Sequence, residues 1–159
     1  MNPSVDDRLA SIVRSLTDLV LPALPPEAGL AQEQVHLAIG HLKILRAQFD
    51  AVPAFEAAEL SDTHALARAL LADAHGGPAT EAALGSLRLA LDPPVGTEHV
   101  RETRVRINGA IDVLIRQMSA DGDEAYTRRA GEVLVRLQGE RARKDRRWFA
   151  LMGFDSDVK

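Results

Sequence analysis

Apolar residues recur every three or four positions along almost the whole chain, and no segment of useful length alternates apolar with polar residues. That spacing gathers side chains into a stripe on a helix but scatters them over both faces of a strand, so it predicts an all-α fold. Val5, Leu9, Ile12, Leu16, Leu19, Val20 and Ala23 form the first stripe, with Asp7, Ser11, Arg14 and Asp18 on the other side. Asn2 or Ser4 can cap this helix, and the prolines of Leu21-Pro22-Ala23-Leu24-Pro25-Pro26 stop it. A second helix is expected from about Glu27 to Asp50, interrupted only by Gly40. Pro53 then opens a third segment that continues through Leu60 or restarts at Ser61 and runs to Ala74.

Two further breaker clusters divide the rest of the chain. Gly76-Gly77-Pro78 precedes a short helix, about Ala79 to Leu91, and Asp92-Pro93-Pro94-Val95-Gly96 ends it. Thr97 with Glu98 opens a helix to about Ser119, and Asp121 with Glu124 reads as the capping box of a last helix from Gly122 towards Arg147. The expectation is an antiparallel bundle of about six helices in a single domain over residues 1–159, with 92–96 the one place where it could be divided.

Composition narrows the function classes. A chain of 159 residues, 46% hydrophobic and 26% charged, is long enough to bury a core without staples. The absence of cysteine removes disulfides, thiolate metal sites and cysteine nucleophiles. No apolar run is long enough to span a bilayer, and the acidic N-terminus is unlike a signal peptide, so a cytoplasmic protein with no membrane role is expected. Residues 1–95 carry 6 Lys/Arg against 12 Asp/Glu, and the formal net charge of the chain is −4. Such a balance argues against nucleic acid, whose binding needs many basic contacts. Of the 19 basic residues 16 are Arg, which with the abundant Ala suggests a GC-rich bacterial source.

Chemical motifs are sparse. Glu33 and His36 stand one helical turn apart, as in bundle metal sites, but a carboxylate di-metal site would need a second such pair; no metal and no cofactor is therefore expected. The basic run before Trp148 and Phe149 reads as a solvated helix end whose aromatics close the core. A sharper oddity lies on the second helix. Gln34, His41 and Gln48 share one azimuth, between a stripe of Leu30, Leu37 and Ile44 and another of Ala38, Leu45 and Phe49. A polar line inside an apolar face must find hydrogen-bond partners, line a wet cavity or lie at an interface. On the fifth helix Arg104 occupies a core-stripe position with Asn108 beside it, and Glu140 of the last helix is its expected ion-pair partner.

Two functions emerge as expectations. The leading one is a non-enzymatic helical protein acting through association, as a homodimer or as an accessory to a larger partner. Its proposed interface combines Val105, Gly109 and Val113 with Gly131, Val135 and Gly139, small and apolar residues on the sides of the last two helices opposite their main stripes. Such a face should be covered by another helix or by a second subunit. The alternative is a binding protein or enzyme for a small anionic ligand, with Gln34, His41, Gln48, Arg104 and Asn108 lining the pocket.

Overall fold

The computed structural model describes residues 3–92 and 98–149. Among these the fold is all-α, with five helices rather than about six. Helix α1 covers Val5–Ser15, extended by a π-helical turn, Leu16–Val20, and a last turn, Leu21–Ala23. Helix α2 is the long one: Gly29–Gln48, a single 3₁₀ turn at Phe49–Ala51, and Val52–Leu71 without a break. Helices α3, Pro78–Leu91, α4, Val100–Asp121, and α5, Glu124–Phe149, complete the chain.

The helix count falls because Pro53 does not break the helical run. Proline cannot donate to the carbonyl four residues back and its ring collides with that group. The tighter turn at Phe49–Ala51 sits where this conflict would arise, so the second half of α2 restarts with Pro53 in its first turn. The wide turn at Leu16–Val20 treats Pro22 in the same manner: the Leu21 amide donates five residues back, to Leu16. Ser4 caps α1 in a reciprocal box with Asp7, as its position suggests.

By its contacts the chain divides into two compact units, residues up to Val52 together with those from Arg146 onward, and Pro53–Asp145. In the first, α1 and the first half of α2 form an antiparallel hairpin. The Arg46 guanidinium donates to both carboxylate oxygens of Asp6, at 2.5 and 3.0 Å. Leu9 and Ile39 are its buried hydrophobic residues.

The second unit holds the main core. Leu66 and Leu70, Leu84 and Leu87, Ile107 and Leu114, and Tyr126 and Ala130 step by threes, fours or sevens on four helical segments. Cross-helix pairs give the topology. Glu56 and Glu59 bind Arg101 and Arg104, so the second half of α2 runs parallel to α4. Leu70 and Glu59 meet Tyr126 and Arg141, and Thr80 and Ala90 meet Asp121 and Arg106, so the other neighbours are antiparallel. This is the up-and-down bundle expected of short connections.

At one end of that bundle two corners cross in backbone contact. Gly77 N–H donates to the Asp121 carbonyl at 2.7 Å, and Gly76 faces Gly122. Asp121 therefore does not open α5. Its carboxylate accepts from the Ala79 and Thr80 amides at 2.8 and 2.9 Å and from the Thr80 hydroxyl at 2.6 Å, capping α3 from the neighbouring helix. Asp123 is the local cap of α5, accepting from the Tyr126 amide at 3.0 Å. At the start of α4, His99 is the N-cap, in a reciprocal box with Glu102; Thr97 lies outside the described residues.

Candidate interaction surface

The surface of interest is built on the first half of α2. Ile39 is buried, and around it Arg46 and Gln32 reach inward, Arg46 to Asp6 and Gln32 to the Pro25 carbonyl at 3.0 Å. At 100° per residue the opposite azimuth holds Leu30, Gln34, Leu37, His41 and Gln48, flanked by Leu45 and Phe49. The arc with the polar line is thus the outward side of the hairpin. Leu30 is 73% exposed, Leu37 52%, Leu45 47% and Phe49 45%. Leu30 and Leu37 stand on one side of the polar line and Leu45 on the other, whereas Phe49 lines a groove with Val5, Leu9 and Arg46 on the side of α1.

The polar line divides along its length. Gln48 is half-buried and its amide donates to the Trp148 carbonyl at 2.7 Å, so its end of the face is already engaged. Gln34 and His41 are exposed and make no hydrogen bond among the described residues. Trp148 is half-buried, while the Phe149 side chain expected to help close the core lies outside the described residues.

Arg104 and Asn108, the other residues expected around a ligand, stand one turn apart on α4 in the second unit, both half-buried. Arg104 does not pair with Glu140. It donates to Glu59 at 3.3 Å, while Glu140 pairs with Arg136 of its own helix at 3.6 Å. The expectation failed because it considered α4 and α5 alone, whereas the azimuth of Arg104 also faces α2. Glu59 is buried and accepts from Arg141 as well, so one carboxylate is shared by two guanidinium groups in a low-dielectric setting.

Sequence reasoning missed this cluster. Glu56, Glu59 and Asp62 stand three residues apart on α2, and each takes cations from other helices: Arg101, then Arg104 and Arg141, then Lys144. The three-residue spacing was a visible signal, but it is shared by any solvated acidic face. The Arg101 guanidinium holds the Glu56 carboxyl below its ordinary range. The adjoining cleft, lined by Asp62, Thr63, Arg141 and Lys144 among others, measures about 40 Å³, far below the several hundred that small-molecule sites offer. With each of these carboxylates matched by a cation, the cluster reads as a structural ladder.

Glu33 and His36 are both exposed, and no group of three metal-ligating side chains occurs among the described residues. On α4 and α5 the Val/Gly faces are open. Val105 is 65% and Val135 77% exposed, Val113 is also exposed, and a methyl group built on Gly109, Gly131 or Gly139 would meet nothing within 4 Å. No described helix covers Val105, Gly109 or Val135, so of the two covers expected for this face, another helix or a second subunit, the described helices do not supply the first. No helix among the described residues is long and apolar enough to cross a membrane. Comparison of the chain with protein-family models, with curated proteins and with solved structures gives no match.

Proposed function

We propose that this protein works in the cytoplasm through association rather than catalysis, as a helical partner for a second copy of itself or for a larger assembly. The observation that carries the reading is the outward exposure of Leu30, Leu37 and Leu45 on a hairpin whose buried hydrophobic residues, among those described, are Leu9 and Ile39. A hairpin with so small an interior gains most by covering its outer face. The Val105–Gly109–Val113 and Gly131–Val135–Gly139 faces offer further association surface. The engaged state of Arg104 and Gln48, held by Glu59 and by the Trp148 carbonyl, gives the anionic-ligand reading no support.

The reading is tested with Leu30→Gln/Leu37→Gln by measuring mass and melting temperature from low to high micromolar concentration. An association surface predicts that the substituted chain loses the larger species and the concentration-dependent part of its stability, with its dilute-limit melting temperature kept. Loss of stability that is equal at every concentration would assign both leucines to the interior of the chain and overturn the reading.

A further inference from the structure

We propose that His64 is an acid-sensitive element of the Pro53–Asp145 unit: its ring is accepted neutral into the packed bundle, and a proton taken up there loosens the second half of α2 from α3 and α4 in a mildly acidic range where carboxylates stay charged. The proposal is independent of the association reading above.

Placement is the first argument. His64 stands four residues after Leu60, three before Ala67 and seven before Leu71, so helical spacing sets it on a line whose other members are buried in the main core or pack against it. The side chain is half-buried, and its Nδ1 is covered and has no hydrogen-bond partner among the described residues. A neutral imidazole can carry its hydrogen on Nε2 and leave Nδ1 a bare acceptor, at the cost of one unmade bond. The imidazolium has no such choice, because it puts an N–H donor and a full charge at the same covered position.

Charge points the same way. Arg68 follows one turn later on α2, and Arg106 acts on the ring from α4. Arg106 is fixed in place, since its guanidinium donates to Glu98 at 2.7 and 3.1 Å and to the Ala90 carbonyl of α3 at 2.5 Å. Glu98 in turn accepts from the Thr103 hydroxyl at 2.8 Å, and on α2 itself Glu59 and Asp62 are taken by Arg104, Arg141 and Lys144. An imidazolium at this position therefore meets two like charges and no unclaimed carboxylate among the groups that act on it. Burial first, then Arg68 and Arg106, holds the ring below its ordinary 6.5.

The folded ring thus binds a proton less readily than the unfolded one. Its contribution to stability is fully present above pH 6.5 and is lost as pH falls below it, with the unfolding constant rising up to about tenfold per pH unit until the folded ring itself titrates. Glu56, Glu98, Asp121 and Asp123 are shifted downward instead, from 4.5 or 3.8, so their losses come at lower pH.

The test follows urea unfolding of the full chain by circular dichroism between about pH 7 and about pH 5. Wild type should show a several-fold rise in the unfolding constant, and His64→Met should abolish it while equalling or exceeding wild-type stability at the lower pH. His99→Asn is the control, because His99 Nδ1 accepts from the Arg101 amide at 3.2 Å, charging it would also remove a bond, and asparagine keeps a cap acceptor there. The rise should survive His99→Asn. A rise that survives His64→Met, or no rise in wild type, overturns the proposal. Should His64→Met fail to fold, the ring resonances of folded wild type decide: His64 must titrate below 6.5, and a midpoint at or above that value overturns the proposal.

Discussion

At the residue scale the sharpest constraints are steric and electrostatic, and they sit where helices meet. A methyl group built on Gly77 would lie 2.5 Å from Asp121 Oδ2, and one on Gly122 would strike the Met118 carbonyl oxygen. These glycines serve close approach, since neither is held at positive φ. Gly77→Ala should therefore cost about 1 to 3 kcal/mol in urea unfolding, as overpacking does, because the carboxylate it strikes is anchored by three donors. The Thr80 hydroxyl, with the Ala79 amide, holds the Asp121 carboxyl below its ordinary 3.8. A depressed folded value means stability that is fully present above the unfolded value and is lost as pH falls through the folded one. Asp121→Asn should accordingly lower the melting temperature by several degrees at neutral pH and flatten its fall below about pH 4; an unchanged acid limb would contradict this assignment. Glu59 makes a different prediction. Arg104→Met or Arg141→Met alone leaves it one cation, but the double substitution strands a buried carboxylate and should cost about 3 to 5 kcal/mol, well beyond the sum of the single effects.

At the scale of elements, what could be read in the sequence was whatever depended on one helix at a time. The Ser4 cap, the stop after Ala23, the corner at Gly76-Gly77-Pro78 and the helix end at Leu91 all follow from local preferences. Pro53 was legible as a first-turn proline, yet its spacing does not distinguish a helix that stops before it from one carried across by a single 3₁₀ turn at Phe49–Ala51. Asp121 and Arg104 were misread because their partners lie on other helices, 41 to 45 residues away in sequence. The polar line of Gln34, His41 and Gln48 was visible as an anomaly, but periodicity fixes azimuths relative to one another and leaves open which azimuth faces the core. The buried Ile39 decides that question. Gly109 tests the same point on α4. With open space around it, Gly109→Leu should raise the dilute-limit melting temperature slightly, since Leu is the better helix former by roughly 0.5 to 1 kcal/mol. It should also suppress any larger species that forms through this face. A fall in that melting temperature would mean that α4 is covered there within the chain.

For the whole molecule, the uneven distribution of buried apolar residues makes stability a local property. Among the described residues, thirteen hydrophobic residues form the buried cluster of the Pro53–Asp145 unit, against Leu9 and Ile39 in the unit that contains α1. Opening free energies follow buried contacts, so amides of α1 and of the first half of α2 should exchange with solvent far faster than those of α3 and α4 in dilute solution. Association changes one side of this comparison only. A second copy seated on the face that holds Leu30, Leu37 and Leu45 would stabilise the state it binds by mass action, and protection of Gly29–Gln48 amides should then rise with protein concentration while that of Pro78–Leu91 stays constant. Hydrogen exchange read by mass spectrometry at two concentrations resolves the two segments separately. Gln34→Glu/His41→Glu should remove the concentration dependence without altering the dilute-limit rates, because both side chains are exposed in the single chain. Equal protection of the two segments at low concentration would show that the hairpin draws its stability from inside the chain. The apolar face of α2 would then need no partner.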